Sequence, residues 1–194
     1  IPKSTLSDWC RGVVLPVEHA KRLQKLNYVN LRKGRELAIK NLQQEKESLI
    51  LILRKQNKNT WKIINKDVAK LILTALYLGE GKKRAGSLVL GSSDAGIANL
   101  YIKLLNMCYG IQPNAIKCWV AYRVDQSLAS LVYYWSRQTG IPVKNFYKTK
   151  PDARTSGSPT LKKDYMGVCV MYVPQSSKVH LELEILSEIL TKGH

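Results

Sequence analysis

The sequence predicts an α+β protein: a helical, strongly basic N-terminal region, then a mixed domain in which helices alternate with short strands. Three observations lead there. Val17 to Lys58 contains no proline and is dominated by Lys, Arg, Gln, Glu and Leu, the composition of long helix. From Thr60 onward, helical spacing gives way repeatedly to short runs of strand-forming residues punctuated by Gly, Pro, Ser and Asn. A hydrophobic fraction of 45% over 194 residues suffices for a packed core and is too high for disorder.

In chain order, residues 1–16 form a short turn-punctuated segment, 17–58 a basic helical linker, and 59–194 the mixed domain. The linker repeats leucine at Leu23, Leu26, Leu37, Leu42, Leu49 and Leu53 and reads as one long helix or as two that break at Gly34. The mixed domain opens on a helix from about Thr60 or Asp67 to Gly79, stopped where Gly79 and Gly81 bracket Glu80. Ser87 to Gly91 reads as a strand, and Ser92-Ser93-Asp94 supplies N-cap chemistry for a helix reaching Gly110. Ala115 to Arg123 is rich in strand formers. Gln126 to Gly140 returns to helical spacing and is closed by Ile141-Pro142. Lys148 to Thr160 is expected to be a long exposed loop, Tyr165 to Val173 an apolar strand, and Ser177 to Leu190 an acidic amphipathic helix.

Charge narrows the partner. Lys+Arg number 31 against 14 Asp+Glu, a formal net charge of +17. Self-repulsion of that size opposes compaction unless a polyanion is near, and nucleic acid is the usual one. The excess is uneven: thirteen basic and three acidic residues lie between Gly81 and Lys163 inclusive of the latter, two basic and four acidic after it. A one-sided basic surface is what phosphate tracking requires. A membrane partner is not expected, because no run approaches the roughly 18 apolar residues of a spanning helix. No small-molecule substrate is expected either. The four cysteines (Cys10, Cys108, Cys118, Cys169) form no Cys-x-x-Cys pair, which argues against structural zinc and fits reduced thiols in an intracellular, DNA-associated protein. Three dispersed histidines are too few for an HNH-type nuclease centre.

The chemistry concentrates in Leu73-Thr-Ala-Leu-Tyr-Leu-Gly-Glu-Gly81. Ala75 and Gly79 stand four apart on one helix face, where small side chains let two backbones approach closely. Leu73, Leu76 and Tyr77 cover the neighbouring faces. Paired helices of this kind bring two Glu80 carboxylates together, and such carboxylates repel unless a hard cation lies between them. The same spacing also fits a helix whose small face is accidental and whose terminal acid is simply solvated, since it names no partner carboxylate.

This nonapeptide resembles the signature of the LAGLIDADG homing endonucleases. Leu73 matches the first position, Ala75 the small third, Gly79 the small seventh, Glu80 the acidic eighth and Gly81 the closing glycine, while Leu78 stands where the family often has an acid. The resemblance implies a LAGLIDADG-type αβ domain with a curved antiparallel DNA-binding sheet. It implies that Glu80 and the Gly79 carbonyl bind Mg²⁺ or Mn²⁺, and that a single-motif chain acts as a homodimer joined through Ala75, Leu76 and Gly79. The partner is then double-stranded DNA, with the sheet on the major groove. Lys82, Lys83, Arg84, Lys117, Arg123, Lys148, Lys150 and Arg154 are the expected contacts, each of them also compatible with ordinary solvated charge. Lys162 or Lys163 is expected beside the transition-state phosphate, with Lys148 in reserve.

Ile1 to Trp9 resembles the turn and recognition helix of a helix-turn-helix domain, whose earlier helices would lie upstream of Ile1. Lys3, Ser4, Thr5 and Arg11 are expected to reach DNA while Leu6 and Trp9 pack inward. The long basic helix behind them is expected to carry this reader away from the core or to lie along DNA. Three functions follow: a metal-dependent, site-specific DNA endonuclease; a non-cleaving transcriptional regulator on the same fold; or an RNA-binding splicing cofactor.

Overall fold

The computed structural model describes residues 2–14, 16–81, 86–162 and 164–193. The chain divides into two compact units, Ile1–Trp61 and Lys62–His194.

The first unit consists of α1 (Lys3–Trp9) and α2 (Val17–Gln56). Pro16 precedes α2, where its missing N–H costs nothing, and Arg54 and Lys55 close the last turn at the negative end of the helix dipole. Of the two readings, one helix or two broken at Gly34, the single helix holds. A single glycine inside a long run of Lys, Glu, Gln and Leu costs about 1 kcal/mol, too little to outweigh the bonds on either side. α2 buries none of its residues. α1 departs from expectation too: Leu6 and Trp9 are 46% and 67% exposed rather than packed inward. One seven-residue helix with no side-chain cap offers them no partner surface.

The second unit is α+β, with helices on a three-stranded antiparallel sheet. Its elements are α3 (Lys66–Glu80), β1 (Leu88–Ser92), α4 (Ala95–Tyr109), β2 (Lys117–Ala121), α5 (Leu128–Thr139), β3 (Val168–Val173) and α6 (Ser177–Lys192). The sheet order is β1-β3-β2, so the last strand lies in the middle. Leu88 pairs with Val173 and Ser92 with Cys169 on one side of β3; Lys117 pairs with Tyr172 and Ala121 with Val168 on the other. Burial alternates along β2 and β3. Cys118, Val120, Cys169, Met171 and Val173 face the helices, and Lys117, Trp119, Val168, Val170 and Tyr172 form the outer face.

The core forms where α3, α4, α5 and α6 meet the inner sheet face, around Leu73, Leu90, Tyr101, Leu104, Trp135, Met171 and Leu183. Each fully buried side chain of this size contributes about 1.5–3 kcal/mol. Asp94 caps α4 as expected, its Oδ1 accepting from Gly96 N at 2.6 Å and Ile97 N at 3.2 Å. β3 begins at Val168 rather than Tyr165, because Gly167 adopts φ +68°, outside the range of extended strand backbone; a Cβ at that glycine would stand 2.7 Å from the Ala121 carbonyl. Among the described residues no helix is long and apolar enough to cross a membrane.

Candidate functional site

α3 starts on a real cap: Asn65 Oδ1 accepts from Val68 N at 2.9 Å, and Asp67 sits in the first turn. Ala69, Leu73 and Tyr77, four apart, are buried in the core. Lys70 binds Glu182 of α6 and lies over the Tyr109 ring of α4, so three helices share one ion pair. The carboxylate raises the Lys70 pKa through hydrogen bonding, while Lys70 holds Glu182 below the usual carboxylate range. Tyr77 meets the buried His180 ring edge-on at 5.8 Å. Burial pushes the Tyr77 hydroxyl pKa up.

The opposite face of α3 is also apolar. Val68, Ile72 and Leu76 are half-buried, and Leu71, Ala75 and Gly79 are exposed. A helix that is hydrophobic all round is ordinarily enclosed on all sides. Among the described residues of the second unit, α4, α6 and β1 cover one side of α3.

Gly79 and Gly81, alike in the sequence, differ in what they do. Gly81 closes the helix: its N–H donates to the Tyr77 carbonyl at 2.8 Å, and its φ of −79° and ψ of 146° turn the chain into extended backbone. A Cβ on Gly81 would collide with the Tyr77 carbonyl and ring. An antiparallel bridge to Leu90 then ties Gly81 to β1, so the end of α3 is anchored on the sheet. Gly79 is an ordinary helical residue, inside the helix rather than ending it, and a Cβ there would have no atom within 4 Å. None of the described residues requires a glycine at 79.

Glu80 is the last residue of α3 and is exposed. The Gly79 carbonyl beside it has no helical N–H four residues on, because the helix has ended. A carboxylate and a carbonyl in the last turn, at the negative end of a helix dipole, form an oxygen donor set suited to a hard divalent cation. Two such donors are too few for a closed site. Among the described residues no three His, Cys, Asp or Glu side chains gather into one group. A second carboxylate must come from elsewhere if a metal is held.

The basic residues divide into engaged and free. Lys117 Nζ donates to Asn145 Oδ1 at 3.2 Å; Arg123 donates to the Ser158 carbonyl at 2.5 Å; Arg154 grips both oxygens of Asp152 at 2.8 and 2.9 Å. Lys148, Lys150 and Lys162 are exposed, and none of the described ion pairs involves them. Lys82, Lys83, Arg84 and Lys163 lie outside the described residues. Lys3, Ser4 and Thr5 lie on α1 and Arg11 just beyond it, where Arg11 pairs with Asp8 at 2.7 Å. Ala75 and Gly79 are exposed on the outward face of α3, whereas Leu76, expected beside them, is half-buried and packs against the core.

The stretch expected as a free loop is partly docked. Tyr147 N donates to the Cys118 carbonyl at 2.7 Å, Thr149 Oγ1 to the Val120 carbonyl at 2.8 Å, and Asp152 N to the Tyr122 carbonyl at 2.9 Å. Residues 147–152 therefore run beside β2, with Lys148 and Lys150 on alternate positions. Sequence reasoning also passed over Asn145. It is buried, donates to the Asn114 and Ile116 carbonyls and accepts from Lys117, joining three segments. Its only sequence signal was a place between the apolar residues Val143 and Phe146, shared with the exposed Lys144. A separate groove between α3 and α6 is lined by Thr74, Tyr77, His180, Leu183 and Glu184; Glu80 is not part of it. Comparison of the chain with protein-family models, with curated proteins and with solved structures gave no match.

Proposed function

We propose that the protein is a divalent-metal-dependent, site-specific endonuclease for double-stranded DNA, of the LAGLIDADG homing-endonuclease type and acting as a homodimer. One observation carries the reading: the second apolar face of α3, with Gly79 open to any neighbour and Glu80 at its end. Gly79 lowers helix stability by about 1 kcal/mol relative to alanine, without any contact among the described residues to explain it. Close approach of a second α3 backbone explains it, and the same approach brings a second carboxylate to the first.

In this reading Glu80 and the Gly79 carbonyl of each protomer hold a Mg²⁺ or Mn²⁺ ion, which when bound supplies an activated water and stabilises the leaving oxygen. The chain's own contribution is position. The Tyr77–Gly81 contact and the Gly81–Leu90 bridge set the end of α3 against the sheet, so the carboxylate keeps its place relative to whatever the sheet binds. The net charge of +17 draws the duplex in. Lys148, Lys150 and the 82–84 basic run track phosphates, and Lys162 or Lys163 opposes the charge of the pentavalent phosphate.

A plasmid library with randomised inserts, incubated with Mg²⁺ and with Mn²⁺, tests this. Cleavage at one enriched target, lost in Glu80→Gln while duplex binding stays within a few-fold, is the expected result. Duplex binding with no cleavage under either metal overturns the enzyme and leaves the non-cleaving regulator.

A further inference from the structure

α2 carries a stripe with an eleven-residue period. Ala20, Leu31, Leu42 and Leu53 form one row at that spacing, Asn27, Ala38 and Leu49 a second, and Leu23, Gly34 and Glu45 a third. Eleven residues make three helical turns at about 3.67 residues per turn, so the three rows stay on one face along the whole helix instead of drifting round it. At about 1.5 Å per residue the stripe from Ala20 to Leu53 is roughly 50 Å long. None of it is buried: Leu42 is 65% exposed and Leu31 61%. The surface is shaped as well as apolar. One shallow concavity lies among Asn27, Leu31, Gly34 and Ala38, and another among Asn41, Glu45, Leu49 and Ile52.

We propose that this stripe pairs with the same stripe of a second copy, as a parallel two-stranded coiled coil in register. Three features select a second copy over DNA or an unrelated protein. The stripe is apolar, whereas phosphate contact needs its basic residues at the centre; Arg35 and Lys46 only border it on one side, with Asn30 and Asn41 on the other. In a parallel pair the opposite borders meet, so the basic border of one helix faces amides rather than its own image. Asn27 falls inside the seam, where matched asparagines lower stability but fix register.

The third feature is the tether. Residues 57–65 join α2 to α3 and reach about 30 Å at most. If two α3 helices pair, which is the reading proposed above, the C-terminal ends of both α2 helices are held together, and tethering at the same end makes the pair parallel. The assembly then has two seams, one short and compact at α3 and one long at α2. Glu45 is the charged residue in the three rows, so its self-pairing is the weak point of the long seam.

Cysteine crosslinking of the full chain tests the proposal in a Cys10→Ser background, since the other three cysteines are buried. Under mild oxidation Leu42→Cys and Leu31→Cys should each form a disulfide-linked homodimer at least about tenfold faster than Lys40→Cys, which lies on the far side of the helix. The same comparison is repeated with Ala75→Glu to disable α3 pairing. Slower crosslinking with Ala75→Glu but the same stripe preference supports both seams. Unchanged crosslinking supports the α2 seam and removes the α3 reading. Equal rates for Leu42→Cys and Lys40→Cys, or a stripe preference that appears only when duplex DNA is added, overturns the α2 seam whatever α3 does.

Discussion

Glu80 stands at the wrong end of its helix for stability. An acid in the last turn sits against the negative pole of the dipole, at a cost of about 0.3–1 kcal/mol. Glu80→Gln is therefore expected to raise the melting temperature slightly in metal-free buffer while removing cleavage, and calorimetry beside the plasmid assay checks both. A gain in stability together with loss of function marks a residue kept for chemistry. Gly79→Ala separates two roles in the same way. Dilute protein should gain up to about 1 kcal/mol from the better helix former, whereas sedimentation equilibrium should show weaker self-association because the added methyl separates the two backbones. Gly81→Ala has no such gain. Its Cβ meets the Tyr77 backbone, so the end of α3 must shift, and we expect lower stability with reduced cleavage.

At the scale of the element, α3 is a helix with two apolar faces serving two ends. Leu73 on the inner face is fully buried, and Leu73→Ala should cost about 2–5 kcal/mol in denaturant unfolding. Leu71 on the outer face is 43% exposed; Leu71→Ala should leave unfolding within about 1 kcal/mol yet weaken self-association. The Lys70–Glu182 pair ties α3 to α6. Glu182 is held below its ordinary pKa by Lys70, so its contribution is present above the unfolded carboxylate value and lost as pH falls through the folded one. Lys70 is raised, so its contribution is present below the unfolded lysine value and lost as pH rises through the folded one. The stability difference between wild type and Glu182→Gln should thus persist through neutral pH, begin to shrink below about pH 4 and vanish only in stronger acid. Thermal melts across that range check it.

For the whole molecule, the net charge of +17 makes duplex affinity a function of salt. The slope of log affinity against log salt should be about −0.9 per phosphate contact, and Lys148→Ala or Lys150→Ala should each reduce its magnitude by about one. Arg154→Ala should change it less, since that side chain already grips Asp152. Much of the second unit was legible in the sequence. The Asp94 cap, the end of α3 at Glu80 and the apolar stretch of β3 all follow from short-range chemistry: a side chain bonding its own backbone, or a glycine where a Cβ cannot fit. The docking of residues 147–152 on β2 and the anchoring of Lys117 by Asn145 were not legible. They depend on which strand edges remain open after the sheet has formed, and local spacing carries no record of that.

By itself the sequence determined the order and type of the elements, the basic balance and the placing of one carboxylate at the end of an apolar helix. These rest on propensity, periodicity and charge, which act over a few residues. Only the tertiary structure decided that β3 lies between β1 and β2, that Lys70 finds a partner on α6, and that the described residues exclude a Cβ at Gly81 but not at Gly79. Those outcomes depend on contacts between residues far apart in the chain. The open face at Ala75 and Gly79 could be seen only once the core had claimed the other side of the helix.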